Sequence, residues 1–271
     1  MKLDVSIIIP NYNTKKLTLD CVDSINKTTK GVSYEVIIVD NASSDGSVKE
    51  FAKLTTGNRK IQLIKNDKNL GFAKAVNLGI KISKGEYILL LNSDTLVLPN
   101  SISTLIDFAK KTPNVGVVAP QLLNIDNTPQ ESVTHFPSLI GAVMEYWLGK
   151  KGSFELYVPL EDVPIEVDAV VGAAFLIPRK VIDKVGLFDE RYFMYFEDLD
   201  YCRRVVKRGM KVYYLPASKI IHYHGASGKN VVKPAFQWKR LIPSSKIYHG
   251  VFMHFVINFV IWSGQKLKKV F

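Results

Sequence analysis

Acidic residues are missing from the last quarter of the chain. Between Tyr201 and Phe271 there is no Asp or Glu, whereas 14 Lys and Arg occur there. The first 200 residues carry 22 basic and 25 acidic residues, so the net charge of +11 comes entirely from the basic C-terminal segment. A one-sided basic segment favours an anionic partner, namely nucleic acid, a membrane surface or phosphate groups.

Cysteine is also scarce, which excludes a disulfide framework. Cys21 and Cys202 are the only two, and both lie in helical patterns. We predict that they are reduced thiols in the core of a cytoplasmic protein. The N-terminus does not read as a signal peptide, because Asp4 interrupts it and Ile7–Ile9 is too short for an apolar signal core.

Several motifs that would define other enzyme classes are absent. No G-x-G-x-x-G follows a predicted strand, and G-x-x-x-x-G-K-[ST], C-x-x-C and H-E-x-x-H do not occur. Gly225–Lys229 resembles the end of a P-loop, but Tyr223 stands where the first glycine should be. The chain also lacks the interleaved aromatic and basic residues or the recognition helix of a nucleic-acid-binding module. We therefore expect no nucleic-acid partner, no dinucleotide dehydrogenase and no P-loop enzyme.

Short apolar runs alternate with helical patterns over the first 120 residues. The runs predict buried strands at Val5–Ile9, Val36–Val39, Ile61–Ile64, Tyr87–Leu91 and Val115–Ala119. The intervening helices are predicted at Thr14–Lys27, 45–54, Phe72–Ser83 and Ser101–Lys111. Continuously apolar strands between helices indicate a parallel sheet covered on both faces, with a ligand site beyond the carboxyl ends of its strands. A further strand is predicted at Val167–Ile177, with small residues where another group approaches closely.

Polar residues follow the predicted strands at that edge. They are Asn11, Asp40, Asn66-Asp67 and Asn92-Ser93-Asp94. Turn formation explains any one of these corners, because Asn, Asp and Ser are common turn residues. It explains less well an acidic residue at three of them, so the corners indicate a binding site.

The last acidic residues form the cluster Glu197-Asp198-Leu199-Asp200, directly after the aromatic run 192–196. Apolar surroundings disfavour charge, which makes such a cluster a candidate catalytic acid or base. A helix start that places carboxylates at its positive end is an equal alternative from these residues alone.

Ordered motifs along the chain resemble those of family 2 glycosyltransferases with the GT-A fold, and of their rhamnosyltransferase-like branch in particular. The matching segments are Val5–Asn13, Val39–Gly46, Asn69–Ala73, Leu91–Asp94, Phe188–Asp200 and, less closely, His222–Ser227. The resemblance runs from about Val5 to about Gly228. It implies an α/β protein with a Rossmann-like, mostly parallel sheet flanked by helices, followed by an acceptor-side region. We divide the chain into a glycosyltransferase domain (1–228), with a nucleotide-sugar-binding half (1–120) and an acceptor half (121–228), and a C-terminal tail (229–271).

The resemblance implies a binding site for a nucleotide-sugar donor. Pro10, Asn11 and Tyr12 would shape the pocket for the base, and Asp40 would accept hydrogen bonds from its pyrimidine ring.

The donor phosphates would lie at the start of the helix predicted from Phe72. Asn69, Gly71 and Phe72 are expected to offer free backbone N–H groups and the positive end of the helix dipole. Lys74 would add a cation in the first turn.

A divalent cation, Mn²⁺ or Mg²⁺, is the implied cofactor. The family's D-x-D motif matches Asn92-Ser93-Asp94, so Asp94 would be a metal ligand, whereas the amide of Asn92 brings no charge and weakens metal binding by this loop. The family pattern H-x-x-G-x-S begins at His222, which makes His222, and as a second candidate His224, a further ligand. A hydrogen-bonded surface histidine is the alternative.

The resemblance also assigns catalysis to the acidic cluster. Asp198 matches the Asp of the family's Glu-Asp pair and would take the proton of the acceptor hydroxyl, which inverts the anomeric configuration. Glu197 would raise the pKa of Asp198 by like-charge repulsion, while the helix start would lower it. Asp200 is expected to be structural and to pair with Arg203 or Arg204.

The tail contains a strongly apolar stretch, Ile247–Trp262, with Lys or Arg on both sides. It is shorter than the ~20 residues that a bilayer-spanning helix needs, and His249, His254 and Asn258 interrupt it. We predict an interfacial helix on the inner leaflet of the cell membrane. A homodimer interface and an ordinary packed helix are the alternatives.

We expect transfer of a sugar, with dTDP-L-rhamnose as the first candidate donor, to a saccharide or a polyprenyl-diphosphate-linked acceptor in cell-surface polysaccharide synthesis. A UDP-hexose donor is the alternative within the family. The uncharged Asn92 keeps a third hypothesis open, a membrane-bound scaffold without activity.

Overall fold

The computed structural model describes residues 3–223 and 237–267, with only the backbone described for 237–239. The strands among these residues are β1 (Val5–Asn11), β2 (Tyr34–Asp40), β3 (Ile61–Lys65), β4 (Tyr87–Leu91), β5 (Thr95–Val97), β6 (Val115–Leu123), β7 (Val133–Thr134), β8 (Ile165–Val167), β9 (Ala169–Val170), β10 (Ala174–Pro178) and β11 (Lys211–His222). The helices are α1 (Lys15–Thr28), α2 (Ser47–Thr55), α3 (Phe72–Ile82), α4 (Ser101–Lys111), α5 (Leu139–Tyr146), α6 (Arg179–Val185), α7 (Glu197–Lys207), α8 (Gln237–His249) and α9 (Val251–Leu267).

One sheet of nine strands organises the described part of the chain. Its order is β3-β2-β1-β4-β10-β6-β11-β5, with β8 paired to β11. Strands β3, β2, β1 and β4 are parallel, as predicted, and β6 and β11 are also parallel. Strand β10 lies antiparallel between β4 and β6, so a strand from the second half of the chain is inserted into the sheet of the first.

Both faces of the sheet are covered, because alternate side chains of its central strands enter different clusters. Ile7 and Ile9 of β1 pack with residues of α1, α2 and α4, whereas Ile8 packs with residues of α3 and α7. The continuously apolar strands of the sequence are thus explained by burial on two sides.

The sequence predicts that β1 ends at Ile9, before Pro10, but the strand continues to Asn11. Its pairing with β4 stops at Ile8, while its pairing with β2 continues through Pro10 and Asn11. Proline is tolerated because one side of β1 has no strand partner at this position.

The prediction of a single strand at Val167–Ile177 is wrong. The segment divides into β8, β9 and β10, and a turn separates the last two. Strands β9 and β10 lie in different sheets, so the chain must change direction between them.

The tail forms two helices rather than the single one predicted. Helices α8 and α9 are bent by 118° across a break at Gly250, whose φ of +81° favours glycine. Among the described residues, no single helix is long and apolar enough to cross a bilayer, and only the bent pair taken together has the length and composition to do so. On one side, α9 buries Ile257 and Val260 against Ala142 of α5.

Candidate active site

The first corner joins β1 and β2 at their carboxyl ends. Register places Asn11 opposite Asp40, and both side chains are buried. The Asn11 amide donates to Asp40 Oδ1 over 2.6 Å, and the Ser43 N–H donates to Asp40 Oδ2 over 2.9 Å. Pro10 and Tyr12 flank Asn11 and are partly exposed. These four predicted residues therefore lie together at the edge of the sheet.

A hydroxyl network connects this corner with the loop after β4. Thr14 Oγ1 lies 2.7 Å from Asn11 Oδ1 and 2.9 Å from Ser93 Oγ. Thr14 and Ser93 are both buried. The corner around Asp40 and the loop that carries Asp94 are thus held by one set of hydrogen bonds.

The start of α3 differs from the expectation of free N–H groups. The Gly71 N–H donates to the Asn69 side chain, and the Phe72 N–H donates to the carbonyl of Phe193 over 2.7 Å. Gly71 has a φ of +85°, and a Cβ there would lie 2.5 Å from the same carbonyl. This helix start therefore binds the segment before the acidic cluster, and Lys74 lies partly exposed in its first turn.

Asp94 and His222 lie together because β5 pairs with the end of β11. His222 is opposite Thr95, the residue after Asp94, and its Nε2 lies 3.5 Å from Asp94 Oδ1. Both side chains are buried. The fold thus brings these two candidate ligands together.

Gln130 fixes the orientation of His222. The Gln130 amide nitrogen donates to Asn124 Oδ1 and to the carbonyl of His222, so its oxygen accepts a hydrogen bond from His222 Nδ1 over 2.7 Å. In a neutral ring this tautomer keeps a lone pair on Nε2, facing Asp94. Ring orientation by a second hydrogen bond is typical of histidine ligands of metals.

The donor set fits a divalent cation that takes its other ligands from a substrate diphosphate. Asp94 supplies a carboxylate and His222 an imidazole, while partly exposed Asn92 is uncharged. No group of three His, Cys, Asp or Glu arranged for a metal occurs within 3–223 and 237–267. The second candidate, His224, lies outside the described residues.

The acidic cluster starts α7 and lies beside the Asn92 loop. Asp198 Oδ2 accepts from the Gly172 N–H over 2.9 Å, and Asp198 Oδ1 accepts from the Leu199 N–H over 2.8 Å. The carbonyl of Ala173, the residue after Gly172, accepts from the Asn92 N–H over 2.9 Å. The turn between β9 and β10 thus joins the loop of Asp94 to the candidate base.

The backbone before the acidic cluster adopts an uncommon conformation. Tyr195 and Phe196 have φ values of 69° and 68°, the left-handed region that bulky residues rarely occupy. Consecutive residues of this kind need surrounding contacts that hold them, and such conformations cluster at functional sites.

Burial dominates the acid–base properties of Glu197 and Asp198. It raises the pKa of the Asp198 carboxyl, and the N–H groups of Gly172 and Leu199 partly oppose the rise. Burial, followed by the charge of Asp198, raises the pKa of Glu197 well above its ordinary value. The sequence left open whether Glu197 or the helix start would decide the pKa of Asp198. Burial is the largest cause instead, and the charge interaction raises the pKa of Glu197.

The predicted pairing of Asp200 with Arg203 or Arg204 is present. Its carboxylate accepts from Arg204 over 2.7 Å and from Arg203 over 3.4 Å. The residues that sequence reasoning missed are Gln130 and the N–H of Gly172. Gln130 stands in an irregular stretch without a motif, whereas the small residues at 172–174 were a signal of close approach.

Solved structures of similar fold define the class of the fold. A mannosyltransferase from Pyrobaculum calidifontis in complex with GDP-Man and Mn²⁺ matches with a TM-score of 0.63 and 15% identity, over 98% of this chain and 74% of that one. GalNAc-T7 with UDP, GalNAc and Mn²⁺ matches with a TM-score of 0.62 and 18% identity, over 81% and 44%. The fold is that of GT-A glycosyltransferases.

The family follows from sequence. The model of glycosyl transferase family 2 matches residues 6–186, and the chain belongs to this family. The N-acetylglucosaminyl-diphospho-decaprenol L-rhamnosyltransferase of Mycobacterium tuberculosis is 30% identical over 71% of this chain and 67% of its own length. Rhamnosyltransferase WbbL of Escherichia coli is 25% identical over 86% and 89%. The chain is therefore a glycosyltransferase with rhamnosyltransferase relatives.

The raised pKa of Glu197 predicts a pH-dependent gain in stability for Glu197→Gln. When the folded pKa exceeds the unfolded value near 4.5, the folded wild type holds more protons and loses stability as the pH rises between the two values. The variant has no such loss, so its advantage should grow by up to about 1.4 kcal/mol per pH unit above pH 4.5. Urea unfolding at several pH values measures it, and an advantage that does not change with pH would contradict the burial argument.

Proposed function

We propose that the protein transfers L-rhamnose from dTDP-L-rhamnose, with inversion, to a saccharide or polyprenyl-diphosphate-linked acceptor. The observation that carries the proposal is the turn at Gly172-Ala173, which binds Asp198 on one side and the Asn92–Asp94 loop on the other. A base held next to the Asn92–Asp94 loop, where the donor would bind, suits attack on a sugar from the face opposite its leaving group. The names of the mycobacterial and E. coli relatives support the choice of sugar.

In this proposal Asp198 accepts the proton of the acceptor hydroxyl as the hydroxyl oxygen attacks the anomeric carbon. The N–H groups of Gly172 and Leu199 hold both carboxylate oxygens and so orient the base. The raised pKa of Asp198 increases its proton affinity relative to an exposed carboxylate. Burial and the charge of Asp198 raise the pKa of Glu197 well above its ordinary value, which disfavours a second negative charge beside the base.

The donor would be held along the edge from β1 to β5. Asp40, in the buried corner with Asn11, would accept from the pyrimidine ring, and Lys74 at the start of α3 would face the diphosphate. The halves 1–120 and 121–228 would serve donor and acceptor respectively. Asp94 and His222 would hold Mn²⁺ or Mg²⁺, which when bound neutralises the charge of the departing diphosphate.

Asp198→Asn tests the base. The amide keeps the volume of the side chain but cannot accept the proton, so we expect kcat for rhamnosyl transfer to fall by about 10²–10⁴-fold. Asp189→Asn is the control, since Asp189 lies in the same segment and pairs with exposed Arg191. Release of dTDP, measured with dTDP-L-rhamnose and a lipid-linked GlcNAc acceptor, gives the rate. An unchanged rate in Asp198→Asn would contradict the assignment of Asp198 as the base. Turnover of UDP-glucose, but not of dTDP-L-rhamnose, by the wild-type protein would favour the UDP-hexose alternative.

Gln130→Leu tests the metal site without relying on turnover. Loss of the acceptor for His222 Nδ1 frees the ring, so Mn²⁺ affinity in the presence of dTDP should fall by about 10–100-fold. The exposed neighbour Glu131→Gln serves as the control. Mn²⁺ titration followed by electron paramagnetic resonance measures the affinity, and equal affinity in both variants would exclude this role of Gln130.

The tail supports a proposal of peripheral attachment to the inner membrane leaflet. Four aromatic side chains of α9 form one stripe on the side opposite Ile257 and Val260, and they are 57–79% exposed. This aromatic stripe consists of Phe252, Phe255, Phe259 and Trp262. Lys246 lies 5.1 Å from the ring of Phe255, and Lys266 follows the stripe. Aromatic and basic residues in this order suit an anionic lipid surface.

Phe252→Ser with Phe259→Ser should weaken binding to vesicles of phosphatidylglycerol and phosphatidylcholine on the order of 10²-fold, because two rings lose their burial in lipid. Ile82→Ser, at the far end of α3, is an exposed apolar control. Vesicle sedimentation measures binding. If the wild-type protein does not bind vesicles and sediments as a dimer, whereas the double variant sediments as a monomer, the stripe is a homodimer interface instead.

A further inference from the structure

Helix α8 packs on the segment that precedes the candidate base. We refer to residues 192–196 as the aromatic segment. The Ser244 hydroxyl donates to the carbonyl of Met194 over 2.8 Å. The ring of Tyr248 lies 5.3 Å from that of Phe196, and His249 lies 5.8 Å from Phe196. The tail thus contacts the residue directly before Glu197.

The aromatic segment is held from two sides. On the donor side, its Phe193 carbonyl accepts from the Phe72 N–H, at the start of α3. On the tail side, the guanidinium of Arg240 lies 5.7 Å from the ring of Phe193. The left-handed conformations of Tyr195 and Phe196 follow these contacts along the chain, and they persist only when the surroundings fix them.

Tyr248 is the centre of the tail contact. It is buried, and the guanidinium of Arg203 lies 4.0 Å from its ring on the side of α7. Arg203 in turn pairs with Asp200, so one ring contacts both the strained Phe196 and the helix that carries the acidic cluster. A bulky ring between two elements limits how far either can move.

Helix α9 fixes the other end of the tail. The Trp147 indole N–H lies 3.2 Å from the carbonyl of Val260 and 3.0 Å from Ser263 Oγ. Gly264 approaches α5 so closely that a Cβ there would lie 2.6 Å from the Tyr146 carbonyl. The tail is therefore docked on the acceptor half through α9 and on the aromatic segment through α8.

We propose that α8 is a positioning element of the active site, in which Tyr248 and Ser244 fix the aromatic segment and thereby the direction of Asp198. This inference rests on the proposed role of Asp198 as the base. The tail then has two separable functions. The aromatic stripe of α9 binds the membrane, and the inner face of α8 sets the rate of transfer.

Tyr248→Leu removes the ring and should lower kcat by about 10²-fold, as expected for a base displaced by about 1 Å, with KM for dTDP-L-rhamnose unchanged. Tyr248→Phe keeps the ring and should retain the wild-type kcat. Both are assayed in detergent with a short-chain lipid acceptor, which removes any need for a membrane. Phe252→Ser with Phe259→Ser is the matched control on α9 and should keep the wild-type kcat under these conditions.

Hydrogen exchange of the folded variants separates the inference from the proposed function. Tyr248→Leu should speed exchange of the amides of residues 193–199, whereas Tyr248→Phe should not. If exchange of residues 193–199 is faster in Tyr248→Leu but the wild-type protein transfers no sugar, the proposed function is overturned, while the contact of Tyr248 with the aromatic segment is supported. Wild-type exchange and wild-type kcat in Tyr248→Leu would overturn the positioning role. Equal losses of kcat in the leucine and phenylalanine variants would also overturn it, since the ring would then not matter.

Discussion

Two hydrogen bonds of the main chain hold the site together. The N–H of Gly172 binds the carboxylate of Asp198, and the carbonyl of Ala173 binds the N–H of Asn92. These bonds occur where the chain leaves the small sheet of β7 and β9 and enters the large sheet through β10. Since β10 is inserted antiparallel between β4 and β6, the turn before it must lie at the carboxyl end of β4. The topology thereby brings together two loops that lie about a hundred residues apart in sequence.

The pKa values of Glu197 and Asp198 are raised by burial more than by neighbouring charges. Glu197, Asp198 and Asp200 are close in sequence, but their surroundings separate their roles. Asp200 is paired with arginines, Asp198 is held by backbone N–H groups, and Glu197 has a buried carboxylate oxygen with no hydrogen-bond partner in the described part of the chain. Environments that push neighbouring carboxyl groups apart in pKa are typical of acid–base sites. A sequence of three acids within four residues cannot reveal this division, because each partner comes from a different element.

Local patterns predicted much of the fold and of the donor edge. The apolar runs that became β1, β2, β4 and β6 are buried on both faces, and Asn11 and Asp40 meet because parallel strands end together. Longer-range contacts were not predictable. The break in 167–177 reflects a change of sheet, and the hydrogen bond from Gln130 to His222 spans 92 residues. Gly250 was a visible signal of a helix end that the continuous apolar stretch concealed.

The break at Gly250 places the start of α9 close to the aromatic segment, because Tyr248 and His249 just before it contact Phe196. Helix α8 has 13 residues and is thus about 20 Å long, and it leaves α9 at 118°. The last turn of α8 lies beside Phe196 and directly precedes α9, so an aromatic stripe that lies on a lipid surface would hold Phe196 near that surface. The candidate base would then stand within one helix length of the headgroups. That distance suits an acceptor whose sugar is attached through a diphosphate to a lipid chain, because such a sugar remains close to the bilayer.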